Sequence, residues 1–163
     1  MEITFKQYRE SNLEDLERCM EKLQDFLVSI DSLKRLRRPP AFGKNYTKNL
    51  IKKISKQQGL IILAYDKEKI VGCIAGVIEK QSKDNLLECI PTKSGRILEL
   101  FVLGGYRGLR LGKRLMQRME DYFKKNKCDI VRVEVFVPNK NTHNFYQKLD
   151  YSDRAIDMIK LLK

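Results

Sequence analysis

The segment YRGLRLGKRLM, residues 106–116, joins a glycine-containing turn to the start of a helical pattern. A turn of this kind directs successive backbone N–H groups toward one point, and the helix behind it adds the positive end of its dipole. Gly108 and Gly112 permit a ligand to approach the backbone closely. The same segment adds fixed positive charge through Arg107, Arg110, Lys113 and Arg114. This combination favours a binding site for an anionic group over a basic helix that only serves solubility.

Cysteine and histidine chemistry is not favoured by the sequence. The chain has a single histidine, His143, and four dispersed cysteines without Cys-x-x-Cys or Cys-x-x-His spacing, Cys19, Cys73, Cys89 and Cys128. We therefore expect no metal site and reduced thiols in or near the core. A Cys–His acyl-enzyme would need a cysteine beside the histidine, and nothing in the spacing places one there. A polar helix position is the expected role of His143.

Length and composition predict a single globular domain over residues 1–163. Hydrophobic residues make up 42% and charged residues 33% of the chain, a balance typical of folded domains. No apolar run approaches the roughly 18 residues of a membrane span. The N-terminal sequence has no apolar signal core, so we expect a cytoplasmic protein. The net charge of +12 favours anionic ligands, which include nucleic acid, acidic protein surfaces and phosphorylated cofactors.

Apolar spacing and turn residues predict the elements of the first half of the chain. They are a strand (3–8), a helix (11–31), a second helix (45–58) and a hairpin of two strands (60–65 and 70–79). Ser11 and Glu14 have the spacing of a capping box at the start of the first helix. Gly59 follows the second helix, as a residue beyond a helix terminus commonly does.

The second half is predicted to place a helix between two strands. Its elements are a polar loop (80–95), a strand (96–103), a helix (109–127), a strand (129–137), a short helix (139–149) and a strand (150–162). The polar loop has the length of a lid or a wandering loop. The order as a whole predicts a mixed α/β domain, antiparallel in its first half, with a strand–helix–strand crossover in its second.

Two blocks of sequence resemble the GNAT family of N-acetyltransferases, LELFVLGGYRGLRLGKRLM (98–116) and VPNKNTHNFYQKLDY (137–151). The first resembles the family's acetyl-CoA signature. The second resembles a block with Asn, then Phe-Tyr, then Lys-Leu-Gly-aromatic. Because the blocks and the elements occur in the family's order, the resemblance covers essentially the whole chain. It implies the GNAT-like acyl-CoA N-acyltransferase fold, an α/β domain with a central, mostly antiparallel sheet flanked by helices.

The resemblance implies acetyl-CoA as the cosubstrate and assigns residues to it. The family's loop Arg/Gln-x-x-Gly-x-Gly/Ala, whose backbone wraps the pyrophosphate, falls on Arg107, Gly108, Leu109, Arg110, Leu111 and Gly112, with Lys113 next to it. The preceding strand, which the family pairs with the pantetheine arm, contributes Leu100, Phe101 and Val102. The remaining cofactor-side residues are Asn139, Thr142, Phe145 and Tyr146.

Three positions depart from the family pattern. Arg110 stands where the loop has its first glycine. The backbone donors survive this change if the local dihedral angles are helical, whereas a positive φ would cost arginine on the order of 1 kcal/mol or more. Asp150 replaces the glycine after the last helix, and aspartate tolerates a left-handed cap better than most residues. Thr142 replaces a common alanine, which we expect to be neutral.

The implied reaction is the attack of an amine on the acetyl thioester. At pH 7 an alkyl ammonium with a pKa near 10.4 is neutral in only about one molecule in two thousand, so a base or a desolvating pocket must supply the free amine. Glu99 and Glu134 are the alternatives for this base, beside a water relay. Tyr146 matches the family's general acid at the sulfur. A backbone N–H near Phe101 or Val102 would meet the thioester oxygen.

The resemblance also implies where the acceptor binds, between the loop of the first two helices and the last strands. The loop is the basic segment Lys34–Phe42, whose residues on their own favour a solvated basic loop over an edge of the site for an anionic group. The closing strand pair within Tyr151–Leu162 leaves little length for a covering loop. We therefore expect an open groove that suits a peptide or protein amine with acidic neighbours. Family members are often dimers, so a homodimer is compatible with the sequence.

Two other functional classes fit the sequence less well. A catalytically weak domain that binds acyl-CoA as a sensor is motivated by Arg110 and by the undecided base. A basic nucleic-acid-binding module agrees with the net charge. It is disfavoured because the basic residues are spread across helices rather than interleaved with aromatic residues on a strand surface.

Overall fold

The computed structural model describes residues 2–162, and within them a five-stranded sheet carries helices on both faces. The strands are β1 (Ile3–Gln7), β2 (Leu60–Asp66), β3 (Lys69–Glu79), β4 (Ser94–Val102) and β5 (Ile130–Val133). The helices are α1 (Leu13–Ile30), α2 (Phe42–Lys56), α3 (Lys83–Glu88), α4 (Leu111–Lys125) and α5 (Lys140–Gln147). Short 3-10 turns lie at Glu10–Asn12 and Gly104–Tyr106. The predicted mixed α/β class is confirmed.

The strands lie in the sheet in chain order, from β1 to β5. The first four strands are antiparallel neighbours. α4 connects β4 to β5, which pairs in parallel with β4 from Ser94↔Ile130 to Ile97↔Val133. The expected antiparallel first half and the strand–helix–strand crossover are both present.

Apolar side chains pack against both faces of the sheet. α4 and α5 cover one face, where the Phe123 ring lies directly on Gly95; a Cβ at this glycine would lie 2.4 Å from the ring Cγ. α1 and α2 cover the other face with Leu16, Met20 and Leu50. The four cysteines are free thiols, two buried and two partly buried, as the sequence predicts.

Two local predictions in the first 95 residues are wrong, the start of α1 and the polar loop. α1 begins at Leu13 rather than at Ser11, because a 3-10 turn precedes it, and Asn12 accepts the amide of Arg9 at 3.2 Å. The left-handed residue after α2 is Gln58, with φ 46°. Gly59 follows the end of α2 as predicted: its amide donates to Ile54 O at 2.8 Å, and a Cβ there would lie 2.7 Å from Gly76 O of β3. The predicted polar loop 80–95 contains α3, which the Ser82 side chain caps.

The predicted strand over residues 150–162 is also wrong. Residues 151–162 run as irregular chain, and β5 ends at Val133 instead of continuing to Val137. A strand requires a neighbour for its backbone hydrogen bonds, and the apolar side chains after Tyr151 stay exposed, with Met158 88% accessible. Among residues 2–162, every helix is too short or too polar to cross a membrane.

Candidate active site

The sheet opens between β4 and β5. β5 pairs with β4 only as far as Ile97, so the stretch Leu98–Val102 extends beyond it. A β-bulge lies in this stretch, because Ala75 pairs with Glu99 whereas Gly76 pairs with Ile97. The bulge exchanges the faces of the strand: Ile97 packs under α4, and Phe101, four residues later, packs under α1 and α2.

The backbone of Leu100 and Val102 faces the side of this opening. Leu103 donates its amide to Val71 O of β3 at 2.9 Å. Because successive residues of a strand direct their backbone groups to alternate edges, Leu100 and Val102 direct theirs away from β3. The carbonyl of Val102 accepts a hydrogen bond from Nε of Arg107 at 3.1 Å. An extended ligand could therefore pair with the backbone here.

The turn before α4 has two residues with a left-handed backbone, Gly108 with φ 79° and Arg110 with φ 59° and ψ 10°. The first backbone hydrogen bond of α4 runs from Arg114 N to Arg110 O at 3.1 Å. The amides of the first helical turn, Leu111 to Lys113, therefore precede the helical ladder and can bind an external acceptor. A Cβ at Gly108 would have open space on all sides within 4 Å. The turn fits an anionic group such as a pyrophosphate.

Three contacts fix the position of this turn and the start of α4. Tyr106 donates its hydroxyl to Asp66 at 2.8 Å, which ties the turn to the β2–β3 hairpin. The Arg107 guanidinium lies 5.0 Å from the ring centre of Phe26 in α1. A Cβ at Gly112 would lie 3.3 Å from the Phe145 ring of α5, so α4 and α5 are in close contact there. Leu109 is exposed at the tip of the turn.

Glu99 is a largely enclosed carboxylate on the α1 and α2 side of β4. The Tyr46 hydroxyl of α2 donates a hydrogen bond to its Oε1. Burial raises the pKa of Glu99 above its ordinary value, while this hydrogen bond and the charge of Lys53 act in the opposite direction. A carboxylate with a raised pKa accepts a proton more readily than a solvated one.

Tyr146 lies buried at the same end of β4, on the side of α5. Its ring makes edge contacts with Phe145 and Tyr151, at centroid distances of 5.3 and 5.5 Å. Burial raises its pKa, and the negative charge of Glu99 raises it further. The two residues lie on opposite faces of the sheet, yet the charge of Glu99 still acts on the phenol of Tyr146.

Glu134 lies apart from this pair. It directly follows β5, its side chain is 85% exposed, and its carboxylate accepts a hydrogen bond from Arg96 at 2.7 Å.

Asn139 caps α5, because its side chain accepts the amide of Thr142 at 3.4 Å. His143 lies in α5 and pairs with Asp153 at 2.6 Å, in agreement with a polar helix position.

The basic segment between α1 and α2 is fixed at its base. The carboxylate of Asp31 accepts backbone amides from Leu33, Arg35 and Leu36 at 3.0, 2.6 and 2.7 Å. These bonds lower the pKa of Asp31. Gln24 donates to the carbonyl of Arg37 at 2.8 Å, and Arg38 pairs with Asp25. The segment therefore presents its charge from an ordered loop.

Sequence reasoning missed the role of Tyr46 and Lys53. The spacing of Tyr46 to Leu50, Ile51 and Ile54 indicates only an apolar face of the second helix. Its spacing to Lys53, seven residues on, places both side chains on one helical face, and that was the available signal. The partner Glu99 lies 53 positions away from Tyr46, and helical spacing cannot reveal such a contact.

The fold is that of a known class of enzyme. The sequence model of the acetyltransferase (GNAT) family matches residues 19–151. The chain belongs to this family, whose members use acetyl-CoA. A search of curated protein sequences found no significant match.

Solved structures of other acetyltransferases share the fold. One is the aminoglycoside 6'-N-acetyltransferase AAC(6')-Iy in complex with a CoA-linked bisubstrate analogue, at 13% identity and a TM-score of 0.73, covering 99% of this chain and 100% of the other. A Trypanosoma brucei acetyltransferase has 18% identity and a TM-score of 0.70, with the same coverage of both chains. Glucosamine-6-phosphate N-acetyltransferase from Arabidopsis thaliana has 20% identity and a TM-score of 0.62, covering 100% of both chains. At these identities the likeness shows the fold alone.

Proposed function

We propose that this protein is an acetyl-CoA-dependent N-acetyltransferase that acetylates a primary amine of a peptide or protein, with Glu99 as the base and Tyr146 as the general acid. One observation carries the proposal. The enclosed carboxylate of Glu99 acts electrostatically on the buried Tyr146 phenol, at the part of β4 that extends beyond β5 and whose backbone is accessible.

The residues present fit acetyl-CoA. The amides of Leu111, Gly112 and Lys113, together with the open turn Arg107–Arg110, would hold the pyrophosphate. The backbone of Leu100 and Val102 would pair with the pantetheine arm, beside Phe101 and Phe145. Bound acetyl-CoA supplies an acetyl group activated as a thioester. Asn139 and Thr142 contribute here by fixing the start of α5 and therefore the position of Tyr146.

Glu99 removes the proton that keeps the acceptor amine unreactive, directly or through a water. Its raised pKa strengthens it as a base, and Tyr46 and Lys53 stabilise its ionised form. Tyr146 keeps its proton at neutral pH because burial and the charge of Glu99 both oppose ionisation. A phenol that stays protonated can donate to the leaving sulfur. The two groups thus divide the acid and base roles between them.

The acceptor that suits this surface is a segment with acidic residues near its amine. The ordered basic loop Lys34–Phe42 leads into α2, and α2 places the Tyr46 hydroxyl in hydrogen-bond contact with Glu99. Among the similar structures, one holds an acetylneamine analogue and another is an enzyme that acetylates glucosamine-6-phosphate, and these two acceptors differ in charge. A polycationic acceptor would meet like charge on a chain of net charge +12.

A binding-only protein is the second candidate, and Arg110 is the observation that favours it. This residue adopts the left-handed backbone that glycine accommodates without strain, at the centre of the proposed cradle. A sensor would bind acetyl-CoA without turnover. The two candidates predict the same thermal stabilisation by acetyl-CoA and differ in the release of free thiol.

We also propose that two copies associate through the β5 edge. β5 has an open outer edge on which Ile130 is 42% exposed, and the irregular segment 151–162 exposes Ile156 and Met158 at 78% and 88%. Pairing each segment with the β5 edge of a second copy would cover both surfaces in a symmetric interface. Light scattering should show a dimer that Met158→Lys dissociates, and a wild-type monomer at about 100 μM would overturn the idea.

The location we propose is the cytoplasm, where the free thiols of the chain would persist. Support comes from the buried Cys19 and Cys73 and the absence of any disulfide among the four cysteines. Fractionation of cells that produce the tagged protein, with a secreted disulfide protein as the comparison, would test this. Recovery of the chain outside the cytoplasm would contradict it.

Thiol release from acetyl-CoA in the presence of an acidic lysine peptide tests the catalytic proposal. Glu99→Gln should lower kcat by about 10²-fold or more, the usual contribution of a general base. Glu134→Gln is the matched control, because it makes the same change on an exposed carboxylate and should keep kcat within about twofold. Loss of activity in Glu134→Gln alone would contradict the assignment of the base.

A further inference from the structure

Tyr46 connects the surface of α2 to the enclosed carboxylate of Glu99. Its hydroxyl donates to Glu99 Oε1, while its side chain remains 37% exposed. Its ring stacks on Phe42, one turn earlier, with centroids 5.1 Å apart and planes 18° from parallel. The hydroxyl therefore reaches the carboxylate from a ring whose orientation is already fixed.

α2 itself is held tightly at this point. A Cβ at Gly43 would lie 2.7 Å from the carboxylate of Glu21, so α1 and α2 approach each other closely there. Thr47, directly after Tyr46, is fully buried. Packing on both sides of the tyrosine limits the rotation of α2, and the hydrogen bond can define the orientation of the carboxylate.

Four titratable groups face Glu99 from the surrounding elements. Tyr46 and Lys53 come from α2, Cys73 comes from β3, and Tyr146 comes from α5. Among these four groups, Tyr46 is the one that donates a hydrogen bond to the carboxylate of Glu99. Burial and the charge of Glu99 raise the pKa of Tyr46, so it keeps its proton and remains a donor.

We propose that Tyr46 is a positioning residue that orients the Glu99 carboxylate to accept a proton from the acceptor amine. The inference depends on the proposed role of Glu99 as the base. The Tyr46 O–H occupies Oε1 and leaves Oε2 for the incoming proton. The ammonium gives up one proton to Oε2, directly or through a water, the carboxylate becomes a carboxylic acid, and Tyr46 retains its own proton.

Tyr46→Phe tests this role because it keeps the ring and its stacking on Phe42 and removes only the donor. The measured quantity is the ratio of kcat/KM between variant and wild type as a function of pH, in which the ionisation of the acceptor amine cancels. Loss of the donor raises the pKa of Glu99, so the ratio should fall as the pH decreases. We expect the acidic fall of kcat/KM in the variant to have its midpoint about one pH unit above that of wild type, since a hydrogen bond to a charged group is worth on the order of one pKa unit.

Tyr65→Phe is the matched control. Tyr65 also donates to a carboxylate, that of Asp15 at 2.9 Å, on a buried contact outside the proposed site. Its ratio to wild type should be independent of pH. A flat ratio for Tyr46→Phe would overturn the inference, because a purely structural loss lowers activity equally at every pH.

A double variant separates failure of this inference from failure of the proposed function. If Tyr46 acts through Glu99, Tyr46→Phe should cost less than about twofold in a Glu99→Gln background. An undiminished cost in that background overturns the positioning role and leaves the base in place. If Glu99→Gln alone keeps full activity, the base assignment fails, and the inference that rests on it is overturned with it.

Discussion

The left-handed backbone of Arg110 predicts a change in the free energy of unfolding when glycine replaces this residue. The residue has φ 59° and ψ 10°, and it precedes α4. A left-handed conformation costs an L-residue about 1–2 kcal/mol, and glycine avoids this cost. Glycine also loses about 0.5–1 kcal/mol through the greater freedom of the unfolded chain. The balance predicts that Arg110→Gly raises the free energy of unfolding by about 0.5–1 kcal/mol.

Arg110→Ala is the control that isolates the backbone from the guanidinium. Alanine removes the charge and keeps the Cβ, so the strain remains. Urea unfolding of the ligand-free variants should place glycine above alanine by about 1 kcal/mol, and thermal unfolding should separate them by about 2–4 °C. Equal stability of the two variants would refute the strain argument.

The same pair of variants separates backbone from side chain in binding. If the backbone of the turn holds the pyrophosphate, Arg110→Gly should keep its affinity for acetyl-CoA within a few-fold of wild type. If the guanidinium binds the phosphate, both variants should lose about tenfold in affinity for acetyl-CoA, roughly 1.4 kcal/mol. Titration calorimetry at two salt concentrations gives this comparison, because a charge contact weakens with salt.

Three further predictions concern the packing, the cradle and the pH profile. Gly95→Ala should lower the free energy of unfolding by about 3 kcal/mol in urea, because the new Cβ would lie 2.4 Å from Phe123 Cγ; a change below about 0.5 kcal/mol would contradict the packing. Tyr106→Phe removes the hydrogen bond to Asp66 and should raise KM for acetyl-CoA about threefold to tenfold with little change in kcat, whereas a loss confined to kcat would argue against a role in holding the turn. The raised pKa of Tyr146 predicts that kcat does not decrease between about pH 7 and about pH 10, and an alkaline decrease within that range would mean that another group is the acid.

Local sequence signals predicted the elements that carry the site. The apolar spacing of α4 and the glycine-containing turn before it are encoded within about 20 residues, and both lie where expected. The left-handed backbone of Arg110 and Asp150, with φ 59° and 65°, occurs at the positions where the family has glycine.

Features that depend on distant contacts could not be predicted. The bulge in β4 exists only in the register with β3, and the opening beside it exists because β5 ends at Val133. The hydrogen bond between Tyr46 and Glu99 depends on how α2 packs against the sheet. The terminal segment has an alternating pattern that predicts a strand, yet a strand also requires an edge to pair with, which sequence pattern does not supply.

Initial rates of thiol release test the central claim most directly, with wild type compared with Tyr146→Phe at saturating acetyl-CoA and lysine peptide. The account predicts turnover by wild type and a decrease of about 10²-fold in kcat for the variant, while acetyl-CoA still raises the melting temperature of both proteins. Phenylalanine keeps the buried ring contacts of Tyr146 with Phe145 and Tyr151, so the fold should persist. Full turnover by the variant would contradict the assignment of Tyr146 as the acid. Stabilisation of wild type by acetyl-CoA without turnover on any amine would contradict the proposal that the protein is an enzyme.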